Sequence, residues 1–193
     1  SDNLNIKEEI KKSDILEYAK HYNLSLKDVE DLKEFCYDDL KKDIVLNIIG
    51  QVDINVIDSI RKNGLYDICR FTNHLPHNEV IKEMLRSSLL LLLLNRTIDV
   101  KARVTYKIFE YMASGKPILC IGDTNGDAAK ILNDTASGYS VNFDDEEKIE
   151  EYLTILYLDY KKGNKSFINR NVEKYSYKNL TKELVALLEK IRK

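Results

Sequence analysis

The chain has 193 residues, with 30 Lys+Arg against 32 Asp+Glu, a formal net charge of −2, 44% apolar residues and 32% charged ones. That length fits one domain, alone or with a small appendage, and it is enough to bury a core without a disulfide or metal staple. The composition excludes collagen, a disulfide scaffold and low-complexity disorder, and the near-neutral charge leaves no electrostatic footprint for nucleic acid.

Cys36, Cys69 and Cys120 are odd in number, far apart in the chain and without a CxxC, so they read as small buried hydrophobes in a reducing cytoplasm. His21, His74 and His77 lack HExxH-type spacing, and no metal is expected. Residues 1–12 are polar and charged, unlike a signal peptide. The longest apolar block, Leu89–Leu94, is far shorter than the roughly 20 residues that span a bilayer.

In chain order, residues 5–43 are expected to be helical and highly charged. Asn3 or Asn5 caps a first helix with Ile6, Ile10, Ile15, Leu16 and Tyr18 on its apolar stripe. Ser25 with Asp28 starts a second, whose stripe is Val29, Leu32, Phe35, Cys36 and Leu40. The pattern changes at Ile44. Strands are expected over 44–49, closed by Gly50, then 68–71, 89–94, 117–121 and 138–141. Helices are expected over 55–63, ended by Gly64, then from Asn78 (with Val80, Ile81, Met84 and Leu85 inward), 105–114, 127–132, 145–161 and 176–191. Short strands alternating with helices of about ten residues predict a Rossmann-like α/β fold. It is an open parallel sheet with helices on both faces, over residues 44–193, preceded by the helical segment 1–43. In such a sheet the leucine run fits a strand buried on both faces.

Ligands of an open parallel sheet bind beyond the C-terminal ends of the strands, at helix N-termini. Four loops qualify: 50–53, 72–77, 95–104 and 122–127. None carries GxGxxG or GxxxxGK[ST]. Lys107, Glu110, Tyr111 and Ser114 share one face of the helix 105–114, while Ile108, Phe109 and Met112 point to the core. A cation in a first helical turn opposes the helix dipole, and a bound anion would reverse that penalty. Glu110, one turn further on, suits the vicinal diol of a ribose. The alternative is a solvated Lys107–Glu110 pair. Arg96 and Arg103 flank the third loop within reach of phosphates. Asp127 is expected to cap its helix. Asp144 to Glu147 form an acidic first turn, and Tyr152, Tyr157, Tyr160, Tyr175 and Tyr177 serve packing and surface. His77 reads as a surface residue of a capping turn.

The segment YKIFEYMASGKPIL, followed by GDAAKIL and GYSV and preceded by NIIG and RFTNHLPHNEVIKEMLRSSLLLLL, resembles the C-terminal domain of family 4 (group 1) glycosyltransferases of the GT-B fold. The resemblance covers residues 44–191. It implies a donor-binding domain for a nucleotide-diphosphate sugar, without a further cofactor or essential metal. In such enzymes the Glu of the KxxEY helix, here Glu110, binds the ribose. Its Lys, here Lys107, lies near the diphosphate, with Arg103, Val104, Thr105 and Tyr106 supplying groups at the helix start. The loop Asn73, His74 and Leu75 receives the base, and Gly126 and Asp127 lie close to the sugar. Ala102 stands where many members carry a first Glu, eight positions before the second. Residues 1–43 also lack the strand and Gly-rich turn that usually open the domain.

The resemblance further implies a glycan or lipid-linked acceptor, bound by an N-terminal acceptor domain outside this chain, and transfer with retention. Any peripheral membrane contact would run through that other domain, on the cytoplasmic side. Two other readings stand beside it. One is a non-catalytic nucleotide- or sugar-binding module of the same fold; the other is an unrelated doubly wound domain such as a flavodoxin-like one.

Overall fold

The computed structural model describes Leu40, residues 42–161, Gly163 and residues 170–192. The helices expected over residues 5–43 lie outside these, apart from the last few positions. The elements are β1 (Leu46–Ile49), α1 (Ile54–Lys62), β2 (Cys69–Thr72), α2 (His77–Arg86), β3 (Leu90–Leu93), α3 (Lys107–Ser114), β4 (Ile118–Ile121), α4 (Asp127–Thr135), β5 (Gly138–Val141), α5 (Glu146–Lys161) and α6 (Tyr177–Ile191). Every predicted element from Ile44 onward is present. Boundaries move by one to three residues, and α4 is longer than expected because its apolar spacing continues to Thr135. The fold is the expected Rossmann-like α/β arrangement, with its strands in two sheets of order β1–β2 and β3–β4–β5.

The chain divides into two compact units. Of the described residues, the first comprises those through Ile48 together with Val52–Phe71; the second comprises Ile49–Gln51 and those from Thr72 onward. In the first, α1 starts at Asp53, whose Oδ1 accepts from the Asn55 amide at 2.8 Å. The Arg61 guanidinium lies 4.6 Å over the Tyr66 ring, which meets Phe71 at 5.6 Å between centroids. A shallow cleft lined by Lys42, Ile44, Val45 and Asp67 to Arg70 opens ahead of β1 and β2, away from the strand ends where ligands of such sheets bind.

In the second unit, β3, β4 and β5 are parallel and in register, Leu90 opposite Ile118 and Ile118 opposite Gly138. Parallel strands require the crossover helices α3 and α4 that the sequence supplies. One core cluster joins Leu92, Leu94, Ile108, Met112, Ile118, Cys120, Ala128 and Leu132. Leu119 of β4 faces away from its neighbours and is also buried, as are Ile155, Leu156 and Tyr157 of α5. Burial pushes the Cys120 thiol up to about 11, so it stays neutral at physiological pH.

Three expectations are corrected here. The leucine strand is buried on one face only: Leu90 and Leu92 are inside, whereas Leu91 and Leu93 are 36% and 62% exposed, because β3 is the edge strand of this sheet. Ile81 and Leu85 of α2 are exposed, while Val80 and Met84 carry the packing. Asp127 does not cap α4. Gly126 holds the cap position, and the Asp127 carboxylate accepts from Lys130 at 2.9 Å, one turn along.

Close approach of β4 and β5 depends on Gly138. A Cβ there would lie 1.9 Å from the Ile118 carbonyl oxygen and 2.7 Å from its carbon, which are backbone atoms that cannot move aside. Gly138→Ala is expected to destabilise the second unit by about 3 kcal/mol or more, at the upper end of overpacking costs. Urea denaturation of wild type and variant measures this, and a loss below about 1 kcal/mol would contradict the close pairing.

Candidate functional site

The β3–β5 sheet brings two predicted loops to one edge. Residues 94–106 leave the C-terminal end of β3 and residues 122–126 leave that of β4. The loops touch. A Cβ on Gly126 would lie 3.1 Å from both the Lys101 and Asp123 carbonyl oxygens, so a residue with a side chain would separate α4 from the 3-10 turn Val100–Ala102. Asp123 Oδ1 accepts from the Asn125 amide at 2.8 Å, and the Thr124 amide and hydroxyl both donate to Asn142 beyond β5. The floor of the site is therefore built from the ends of all three strands.

α3 enters this edge with its N-terminus uncapped. Tyr106 occupies the cap position without a side-chain hydrogen bond, and the Thr105 and Tyr106 carbonyls accept from the Ile108 and Phe109 amides. The Thr105 Oγ1 is buried and has no hydrogen-bond partner among the described residues. Lys107 is the first helical residue and carries no ion pair among the described residues, although it stands at the positive end of the helix dipole. The expected alternative, a solvated Lys107–Glu110 pair, does not form.

Glu110 meets a residue from another helix. Its Oε1 lies 3.5 Å from His77 Nε2 at the start of α2; the Glu110 side chain is 22% exposed and that of His77 68%. The Glu110 charge helps to raise the Tyr106 and Tyr111 hydroxyls above their ordinary range. For Tyr111 the larger cause is burial, and for Tyr106 it is a hydrogen bond with Tyr177. His77 directly follows the loop of Asn73, His74, Leu75 and Pro76, so the pair ties that loop's end to α3. Sequence reasoning set His77 aside, because its partner is 33 positions away, as 110 minus 77 shows, and no local pattern marks it.

The two arginines near the edge are committed elsewhere, whereas Lys101 of the same loop carries no ion pair among the described residues. Arg103 pairs with Asp99 one turn earlier at 3.2 Å. Hydrogen bonds from Thr97 and then Arg103 hold the Asp99 carboxyl below its usual range. Arg96 pairs with Asp144 and lies 4.8 Å over the Phe143 ring. The acidic run is thereby divided: Asp144 is engaged by Arg96, Asp145 accepts from the Lys148 amide, and Glu146 and Glu147 form the first turn of α5. Among the described residues no group of three or more His, Cys, Asp and Glu could hold a metal ion.

A C-terminal strap holds α3 and α4. Asp134 of α4 accepts from Lys174 Nζ at 2.8 Å and from the Tyr175 hydroxyl at 3.2 Å, which keeps its carboxyl below the ordinary range. Tyr175 meets Phe109 of α3 at 6.1 Å between centroids. Tyr139 and Tyr152 stack at 4.3 Å, and Tyr157 is buried, so these tyrosines serve packing as expected, while Tyr160 and Tyr177 are exposed.

A parallel α/β sheet with crossover helices, whose strand-end loops frame the start of α3, defines the Rossmann-like class of fold. The family described as "Glycosyl transferases group 1" matches residues 7–174, and the chain belongs to it. No curated protein matches the chain. The family places the domain among sugar-transferring enzymes, and no helix among the described residues is long and apolar enough to cross a membrane.

The orphaned Thr105 hydroxyl gives a test of the helix start. A buried hydroxyl without a partner costs about 1–3 kcal/mol. Thr105→Val should therefore stabilise the ligand-free protein by about 1 kcal/mol or more in urea denaturation. An unchanged or lowered stability would mean that the hydroxyl is satisfied.

Proposed function

We propose that residues 44–193 form the donor-binding half of a glycosyltransferase that takes a nucleotide-diphosphate sugar at the C-terminal edge of β3–β5. The observation that carries this reading is the pairing of an uncapped α3 N-terminus, bearing Lys107 and the orphaned Thr105 hydroxyl, with Glu110 one turn below. Free amides and an ammonium suit a diphosphate, and a carboxylate suits the two hydroxyls of a ribose. Lys107 and Glu110 are three residues apart, about 4.5 Å along the helix axis at 1.5 Å per residue.

In this reading the diphosphate lies against Arg103 to Lys107, with Lys107 as its cation; Arg103 joins only by leaving Asp99. The base occupies the loop Asn73–Leu75 ahead of α2, and the sugar lies toward Gly126 and Asp127. Departure of the nucleoside diphosphate is eased by helix amides and Lys107, which are oriented before the charge develops and need no metal. Transfer proceeds with retention to a glycan or lipid-linked acceptor, in assembly of a polysaccharide. Acceptor binding belongs to a second, N-terminal half, through which any membrane contact would run. The free thiols Cys69 and Cys120 suit a reducing compartment, the cytoplasm.

A second reading, a non-catalytic nucleotide- or sugar-binding module, is favoured by Ala102, which stands where many members carry the first Glu of the pair, eight positions before Glu110. Calorimetry separates the nucleotide reading from its absence. UDP or GDP should bind saturably, and Glu110→Ala should weaken binding about tenfold or more, the effect of losing a charged hydrogen-bond acceptor. No saturable binding, or binding indifferent to Glu110→Ala, would refute the site. Incubated alone with nucleotide sugars and a panel of glycan acceptors, this chain should give little or no product, since in this reading acceptor binding belongs to the other half. Robust turnover would show that it is not a donor half.

A further inference from the structure

α6 leaves the core after its first turn. Ser176 caps it and Asn179 donates to the Glu173 carbonyl at 2.7 Å, but every residue from Leu180 to Arg192 is exposed. Its apolar residues are not scattered. Tyr177, Leu180, Leu184, Leu187 and Ile191 recur at intervals of three, four, three and four, the a and d positions of a heptad, and they are 41% to 73% exposed. Leu188 widens the stripe on one flank. A helix of 15 residues is near the length at which an isolated helix is marginal, so a continuous apolar stripe on it calls for a cover.

We propose that α6 is a self-association surface, through which two copies of this chain pair antiparallel across a two-fold axis. The charged residues that border the stripe select this occupant. Glu183 directly precedes the a position at Leu184 and Lys190 the one at Ile191, so both lie on the same flank, two turns apart, and neither carries an ion pair among the described residues. In an antiparallel pair the two-fold axis lays this flank against the same flank of the other copy, so Glu183 meets the partner's Lys190 and Lys190 the partner's Glu183. The same register sets Leu184 opposite the partner's Leu187 and Leu180 opposite the partner's Ile191, and on the other flank Leu188 covers the partner's Thr181.

Other covers fit less well. Parallel pairing would set Glu183 against the partner's Leu188, give Lys190 no acidic partner, and crowd two β3–β5 sheets at one end. Antiparallel pairing holds those sheets at opposite ends of a helix about 22 Å long. A lipid surface favours cations beside the apolar stripe, whereas Glu183 borders it here. The pairing would hold whether or not the edge of β3–β5 takes a nucleotide. Such an interface buries roughly 1,000 Å², the low end for specific association, so the dimer is weak, with a Kd on the order of 10–100 μM.

Sedimentation equilibrium of the chain should show a mass that rises from 22.4 kDa toward twice that between about 5 and 500 μM. The double variant Leu184→Lys with Leu187→Lys should stay monomeric throughout while unfolding in urea like wild type, because both positions lie outside the core. Glu183→Lys and Lys190→Glu should each weaken association about tenfold, since each sets like charges together twice. Carrying both changes in one chain, or mixing the two single variants in equal amounts, should restore it. A monomer at every concentration overturns the inference, as does association that survives the double lysine variant. Charge variants that associate like wild type, or a mixture no tighter than its components, overturn the antiparallel pairing. Binding to phosphatidylcholine–phosphatidylglycerol vesicles without self-association would assign the stripe to a lipid surface and overturn it as well.

Discussion

Eight residues are too few for a helix to hold itself in water, where isolated helices shorter than about 12–15 residues are marginal. α3 exists because Ile108 and Met112, one turn apart, are buried in one cluster with Leu92, Cys120 and Leu132. Burying two such side chains contributes roughly 1.5–3 kcal/mol each, more than the helix could gain from propensity alone. Once that face is fixed, the rotation of about 100° per residue leaves no freedom for the others. Glu110 must emerge on the side away from the cluster and Lys107 at the open end. Gly115, at φ 70°, ends the helix in the left-handed region that glycine occupies without strain. The chemistry of the site is a by-product of where two apolar side chains had to go.

The same helix explains why so small a local charge suffices. Lys82, Arg86, Arg96, Arg103, Lys130 and Lys174 are each paired with a carboxylate, which cancels their fields at any distance beyond the pair. Lys107 is not paired among the described residues, and it stands where the helix amides already carry partial positive charge. That placement is unfavourable by a few tenths of a kcal/mol and becomes favourable only beside an anion. A chain of net charge −2 thus presents a positive spot at one helix end without a basic surface.

The order and type of elements from Ile44 onward were legible because each rests on local signals. Gly50, Gly64 and Gly115 close elements, Pro76 precedes α2, and apolar spacing switches between strands and helices. Glu110 and Lys107 were legible for the same reason, since their spacing is that of one helix. What the sequence hid depends on neighbours. The exposure of Leu91 and Leu93 follows from β3 lying at the edge of its sheet, which six identical leucines cannot encode. The cap of α4 passed from Asp127 to Gly126 because the loop must clear the Lys101 carbonyl, a contact from 25 positions earlier, as 126 minus 101 shows. The His77 contact is of the same kind: it arises from packing α2 beside α3 and leaves no trace in either helix alone.

The C-terminal strap bears on where the functional unit ends. Val172 and Tyr175 pack on the core cluster, Lys174 and Tyr175 both bind Asp134, and Tyr175 lies against Phe109. Removing these contacts would free one flank of α3 and one of α4, the two helices whose N-termini frame the site. The family match ends at residue 174, inside the turn Val172–Tyr175, so it takes in Lys174 and stops one residue short of the tyrosine that meets Phe109. α6 begins just beyond, capped by Ser176, and leaves Leu184, Leu187, Leu188 and Ile191 exposed. It therefore adds nothing to the core that positions Glu110. Asn179 in its first turn donates to the Glu173 carbonyl at 2.7 Å, which attaches the start of α6 to the strap.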